Sequence, residues 1–188
     1  MSLSGFEKTL FAIDTICKNN SIPYALIGGL SAVVHQIPRT TQDIDITLLV
    51  DIQQIREIGE IILTEFTPLK DDPLGFFEKF FVLPVYYEKT KIRVDFSAGL
   101  SGFDNNVIKR SQRVNFGKIE ISLCSVEDLI IYKLVASRLQ DLADIEALFK
   151  IHHQNLNRNY LFKIAKGFVE VERSDIVDKL ENYFSKFH

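Results

Sequence analysis

The chain has 188 residues, 46% of them apolar and 25% charged, with fifteen phenylalanines along its length; that is enough to bury a substantial core and too apolar for a disordered chain. Its net charge of −3, with Lys and Arg scattered, excludes a basic field broad enough to bind nucleic acid by charge alone. The N-terminus shows neither a basic leader nor a continuous apolar stretch, and no segment approaches membrane-spanning length, so a cytoplasmic protein with no membrane partner is expected.

Ser4 caps a helix whose apolar positions Phe6, Leu10, Ile13 and Cys17 recur at helical spacing. Tyr24 to Ile27 reads as a short buried strand, broken by Gly28-Gly29, and Leu30 to His35 as a short helix ended by Pro38. Asp43 to Val50 is a second strand, with Ile44, Ile46 and Leu48 on one face and Asp43, Asp45 and Thr47 on the other. Ile52 to Phe66 follows as an amphipathic helix stopped before Pro68, and the run through Asp71, Asp72, Pro73 and Gly75 as a loop.

Phe80 to Tyr87 and Lys91 to Ser97 form an expected antiparallel hairpin, with Pro84 hinting at an edge or bulge. A loop from Gly99 to Asn106 leads to strands Gln112 to Phe116 and Lys118 to Leu123 about a turn at Gly117. From Ser125 the pattern is helical: Val126 to Ser137, Leu142 to His152, Leu156 to Val169 and Asp175 to Phe187. The stripes Phe162, Ile164, Phe168, Val169 and Ile176, Leu180, Phe184, Phe187 suit either cleft closure or a homodimer. The expectation is an α+β fold: a core of residues 1–124 with a mixed sheet flanked by helices, and a C-terminal helical bundle at 125–188, packed on the core as a separate or continuous domain. Cys17 and Cys124 lack metal-ligand spacing and read as reduced thiols.

Asp43 and Asp45, separated by one residue on a strand, project side by side. Two carboxylates so close repel unless one is protonated or a cation joins them, and hard oxygen donors suit Mg²⁺, or Mn²⁺ in its place. Alternation in Lys91 to Phe96 turns Arg93 and Asp95 to the polar face, so Asp95 is a third candidate ligand and a candidate base for an attacking hydroxyl. The glycine turn before the acids, opening a helix, offers backbone N–H groups to a phosphate. Ser31 can bond a phosphate oxygen, and Arg39 and Thr40 can offer a fork and a hydroxyl to a triphosphate. His152-His153, at a helix end, lacks a second ligand pair and is expected to serve the helix dipole. The phenylalanine-rich run from Phe76 to Phe81 reads mainly as packing, with room for one ring to stack on a base.

Ala25 to Ala32, with Gly28-Gly29, followed by Pro38-Arg39-Thr40-Thr41-Gln42-Asp43-Ile44-Asp45-Ile46, resembles the nucleotidyltransferase superfamily related to DNA polymerase beta. The Pro-Arg-x-Thr-x-Asp-h-Asp wording is most similar to the AbiEii-like nucleotidyltransferases, toxin components of abortive-infection and toxin–antitoxin systems. The similarity extends to about Ile151 through Ser125 to Lys133 and Arg138-Leu139-Gln140-Asp141-Leu142-Ala143-Asp144. It implies an NTP substrate, a phosphate contact for Lys133, nucleotide binding near Arg138, and a supporting role for Asp141 or Asp144. Asp141 also suits an N-cap, with Asp144 three residues on. Lys133, among Ile130, Ile131, Leu134 and Val135, either snorkels to the rim or takes an anionic partner.

Together these features point to transfer of a nucleoside monophosphate from an NTP to an acceptor: an RNA or tRNA end, a protein side chain or a small molecule. By resemblance the activity is toxin-like, with an antitoxin as partner. The alternative is a catalytically inactive module of the same fold that acts through a partner protein; such a module would turn Asp95 away from the acidic pair.

Overall fold

A computed structural model describes residues 3–187, and the chain divides into two compact units. The first runs up to Leu30 and again from Thr40 to Cys124. It begins with α1 (Gly5–Asn19), where the Ser4 hydroxyl accepts from the Glu7 N–H while the Glu7 carboxylate accepts from the Ser4 N–H. Leu10, Ile13 and Cys17 are buried on this helix, which packs against β7 (Ile119–Leu123).

The strands β1 (Tyr24–Ile27), β2 (Asp43–Leu49), β3 (Thr67–Pro68), β4 (Val82–Tyr86), β5 (Arg93–Gly99) and β6 (Gln112–Phe116) join β7 in one seven-stranded sheet among the described residues, ordered β3-β4-β5-β2-β1-β7-β6. The β2/β5 and β1/β7 pairs are parallel, and the rest are antiparallel. Ile44, Ile46 and Leu48 of β2 and Val94 and Phe96 of β5 are fully buried, so the apolar halves of both alternating strands share one face. Phe66 closes on Phe96, with ring centroids 5.4 Å apart in an edge-on arrangement.

Two segments expected as loops are helices. Asp72 caps α4 (Pro73–Phe80) by accepting from the Gly75 N–H, with Pro73 preset in the first turn. Ser101 caps α5 (Gly102–Arg110) in a reciprocal box with Asp104. The helix expected from Ile52 to Phe66 is a 3₁₀ turn at Ile52–Gln54 followed by α3 (Ile55–Leu63). Gly59 lets α3 meet α4 closely, since a Cβ there would stand 2.8 Å from Leu74. Pro84, expected at an edge or bulge, sits in regular register opposite Asp95, one strand in from the two-residue β3. Its missing N–H costs that side of the ladder one donor, while its carbonyl accepts from the Leu69 N–H.

The second unit comprises Ser31–Arg39 and the chain from Ser125. The helix α2 (Gly28–Val34) begins at the glycines themselves, and the boundary between the units falls within it. The remaining helices are α6 (Val126–Ala136), α7 (Leu139–His152), α8 (Arg158–Gly167) and α9 (Asp175–Lys186). The helix start expected at Leu142 is earlier, because Arg138 is the cap residue of α7 and Asp141 its third position.

Leu129, Ile130, Leu134, Ile145, Phe149, Leu161, Ile176 and Leu180 are fully buried. Of the stripes expected on the last two helices, α9 buries Ile176 and Leu180 of its own, whereas α8 buries Leu161 and Ala165, with Phe162, Ile164 and Phe168 half-buried and Val169 exposed. Phe149 anchors that core, stacking on Tyr183 at 5.2 Å and meeting Phe184 edge-on at 5.1 Å. Phe149→Ala should lower unfolding free energy by about 3–5 kcal/mol in urea titrations, whereas Leu139→Ala, at 89% exposure, should change it by less than about 0.5 kcal/mol.

Candidate active site

In the first unit, parallel pairing of β2 with β5 sets Asp45 beside Asp95 and Asp43 beside Arg93. Because residues in register share a face, the three acids and Arg93 occupy the side of the sheet opposite the buried isoleucines. Arg93 grips Asp95 with both donors of its fork, Nε to Oδ1 at 3.0 Å and Nη2 to Oδ2 at 2.8 Å. The bond to Asp95, with the neighbouring charges of Asp43 and Asp45, holds the Arg93 guanidinium above the usual arginine range against its partial burial. Thr41 donates its hydroxyl to Asp43 Oδ1 at 2.9 Å.

The turn after β1 closes on these acids. Gly28 has φ +67°, in the left-handed region, and a Cβ there would stand 1.9 Å from Asp45 Oδ2, so both conformation and space require glycine. The Gly29 N–H makes a long 3.4 Å hydrogen bond to that same oxygen. The backbone donor expected to meet a phosphate is thus directed at Asp45. Ile27 is the cross-strand neighbour of Asp45, which fixes the turn directly beyond the acidic position.

The second unit gathers the remaining candidates into an ion cluster. Lys133 is 4% exposed, and its Nζ donates to Asp144 Oδ2 at 2.6 Å and lies 3.5 Å from Asp141 Oδ1. Arg39 Nη1 bonds the same Asp144 oxygen. Arg138 donates to Asp141 through Nε at 2.7 Å and its backbone N–H at 3.1 Å. Burial alone would raise Asp141, but the Arg138 bonds and the Lys133 charge hold it below the usual carboxylate range. Of the two expectations for Lys133, the anionic partner holds rather than the rim, and the partner is a pair of carboxylates from its own unit. Asp141 does not act as the helix N-cap; it stands at the third position and accepts from the cap residue.

The structure therefore brings Asp43, Asp45, Asp95, Gly28 and Gly29 together in one unit, and Arg39, Lys133, Arg138, Asp141 and Asp144 in the other. Ser31 is fully buried and Thr40 exposed. His152, expected to serve the helix dipole, bonds the His35 carbonyl through Nε2 at 2.9 Å. The two thiols are not bridged, and both are buried. What sequence reasoning missed is the grip of Arg93 on Asp95. Its signal was the i, i+2 spacing of the two residues on one strand.

Three carboxylates on one sheet face have the donor chemistry a hard divalent cation selects. Among the described residues no group of three acidic, His or Cys side chains is arranged to enclose a metal ion, and both Asp95 oxygens are already bonded to Arg93. Mg²⁺ commonly takes one or two carboxylates and fills its other positions with phosphate and water. Asp43 and Asp45 fit that requirement as they stand, and Asp95 fits it once Arg93 releases an oxygen.

The family described as nucleotidyltransferase of unknown function (DUF6036) matches residues 8–188 of the chain. Among curated proteins, none is significantly similar in sequence. Among solved structures, an antigenic nucleotidyltransferase-like protein from Paracoccidioides brasiliensis shares 15% identity at a TM-score of 0.54, over 93% of this chain and 91% of that one. The antibiotic-resistance factor ANT(2'')-Ia shares 11% identity at a TM-score of 0.56, over 96% of each chain. The lincosamide antibiotic adenylyltransferase LnuA, solved with lincomycin bound, shares 19% at a TM-score of 0.52, over 77% of this chain and 97% of that one. At such identities these likenesses speak for the fold. The sheet, with Gly28-Gly29 leading to its paired acids, and a family match spanning nearly the whole sequence together make this chain a member of the DUF6036 nucleotidyltransferase family.

Proposed function

We propose that the chain is a metal-dependent nucleotidyltransferase, moving a nucleoside monophosphate from an NTP to a hydroxyl-bearing acceptor. The observation that carries this reading is the register of Asp45 beside Asp95, with Asp43 on the same face and the left-handed Gly28 turn against Asp45. Asp43 and Asp45 would hold Mg²⁺ or Mn²⁺, which neutralises phosphate charge when bound. Binding of the triphosphate turns the Gly29 N–H from Asp45 to a phosphate oxygen, and the Arg93 fork follows the phosphate charge away from Asp95. Asp95 then takes the proton of the acceptor hydroxyl. The acceptor oxygen forms its bond to the α-phosphorus as the bond to the bridging oxygen breaks, and pyrophosphate leaves with that electron pair.

In the second unit, Lys133 acts as a positioning residue: it holds Asp144 and Asp141, which in turn fix Arg39 and Arg138. Arg39, Lys133 and Arg138 carry one more charge than Asp141 and Asp144 neutralise, an excess that suits this unit to an anionic group. Ser31, expected to bond a phosphate oxygen, is fully buried and is not assigned that role. The Pro38 to Ile46 wording supports an AbiEii-like, growth-restraining activity with an antitoxin as partner. The inert-module alternative is disfavoured by the position of Asp95, which stands in register with Asp45 rather than turned from it.

Incubating the protein with each α-labelled NTP, Mg²⁺ and cell extract should transfer label to an acceptor, and Asp43→Ala with Asp45→Ala should abolish it. Label surviving in that double variant sinks the metal assignment. Gly28→Ala should cost about 1–3 kcal/mol for the left-handed backbone alone, with the contact on Asp45 adding to the loss in urea unfolding and label transfer falling in parallel. Lys133→Met leaves buried carboxylates short of a partner and should lower stability by about 3–5 kcal/mol, read by the same titration.

A further inference from the structure

An open groove of about 480 Å³ lies in the first unit, lined by Leu69, Lys70, Phe76, Phe80, Val82, Pro84 and Arg93. We propose that it is the acceptor subsite, and that the acceptor is a small planar aromatic molecule carrying a hydroxyl. This assignment rests on the nucleotidyl-transfer reading above.

The groove combines a buried floor at Pro84 with half-buried Val82 and Phe76 and with exposed rims at Leu69 and Phe80. Phe76 and Phe80 stand one helical turn apart on α4, with ring centroids 4.6 Å apart. Their neighbour Phe77 points elsewhere and is fully buried. Phe80 remains 52% exposed and Leu69 45% exposed, an uncovered apolar surface of the kind that binds ligands. Val82 and Pro84 alternate on β4 with the fully buried Leu83 and Val85, so they form a floor on the acidic side of the sheet.

Two links join the groove to the candidate chemistry. Pro84 is the cross-strand partner of Asp95, and Arg93, which forms one wall, is the residue bonded to both Asp95 oxygens. A molecule whose ring lies against Phe76 and Phe80 thus has its inner end at the Arg93–Asp95 pair. A hydroxyl there meets the carboxylate that is to take its proton, and competes for the Arg93 donors that must leave it.

The chemistry of the walls selects the class of occupant. Rings offset against Phe76 and Phe80 gain stacking as well as burial. Lys70, 4.9 Å from the Phe76 centroid, and Lys79, 5.1 Å from that of Phe80, place cations at the ring faces, favouring an electron-rich or anionic aromatic. The volume matches a small-molecule site and exceeds what a single protein side chain fills.

The test titrates 2-naphthol, and separately Mg²⁺ with a non-hydrolysable ATP analogue, into the ¹⁵N-labelled protein. Naphthol should produce saturable amide shifts at residues 69–70, 76–83 and 93. Phe80→Ser and Lys70→Glu, both at solvent-facing positions, should weaken that binding about tenfold or more while leaving circular dichroism unchanged. With labelled NTP and cell extract, label should appear in the small-molecule fraction and fall in both variants through a raised KM. Naphthol shifts elsewhere, nucleotide-analogue shifts at residues 69–70 and 76–80, or label confined to RNA or protein would each overturn the assignment while leaving nucleotidyl transfer standing. No label in any fraction, together with no shift from Mg²⁺ and nucleotide, defeats the transfer reading itself, and the acceptor assignment with it.

Discussion

Everything at the candidate site depends on how three like charges are held on one sheet face. Asp43 and Asp45 are fixed side by side by the two-residue period of β2, and parallel pairing brings Asp95 of β5 into line with Asp45. Separate carboxylates in water would repel weakly, but fixed dipoles and a buried opposite face raise the cost of leaving them uncompensated. The protein answers locally with the Arg93 fork on Asp95, the Thr41 hydroxyl on Asp43 and the Gly29 N–H directed at Asp45. A cation can take the place of each of these donors on its carboxylate, and a phosphate oxygen can accept from them instead.

The rest of the first unit serves that arrangement. The apolar faces of β2 and β5 bury Ile44, Ile46, Leu48, Val94 and Phe96, so a one-residue slip in either strand would bury the acids and expose the core. That penalty locks the register which places Asp45 beside Asp95. Gly28 contributes by absence of a side chain: any Cβ would occupy the space of the Asp45 carboxylate. The second unit is organised by a different electrostatic device, in which a buried lysine is shared by two aspartates that also engage two arginines. Truncating such a network is costly because it leaves buried charges unpaired.

Much of this was legible in the sequence, for reasons that can be named. The alternation in Asp43 to Val50 and Lys91 to Ser97 assigns both the strands and the side of each acid. The glycine pair announced a turn between strand and helix. The helices at Pro73–Phe80 and Gly102–Arg110 were read as loops because Pro, Gly, Asp and Asn cluster there, although Asp72-Pro73 and the Ser101/Asp104 pair are helix-start signals. Turn composition outweighed capping in that reading, while in the folded chain the caps and the burial of Phe77 and Val107 prevail.

The sequence by itself determined the identity and sidedness of the acids and the glycine turn, because strand period and glycine conformation are local properties of the chain. Only tertiary structure decided that β2 and β5 lie side by side in parallel, that Arg93 holds Asp95, and that Lys133 is enclosed by Asp141 and Asp144 instead of reaching the rim. It also decided that Phe76 and Phe80 line a groove joined to Asp95 through Arg93 while Phe77 enters the core. These are partnerships between residues far apart in sequence. Strand order and helix docking set them by maximising apolar burial over the whole unit, and no local pattern encodes that choice.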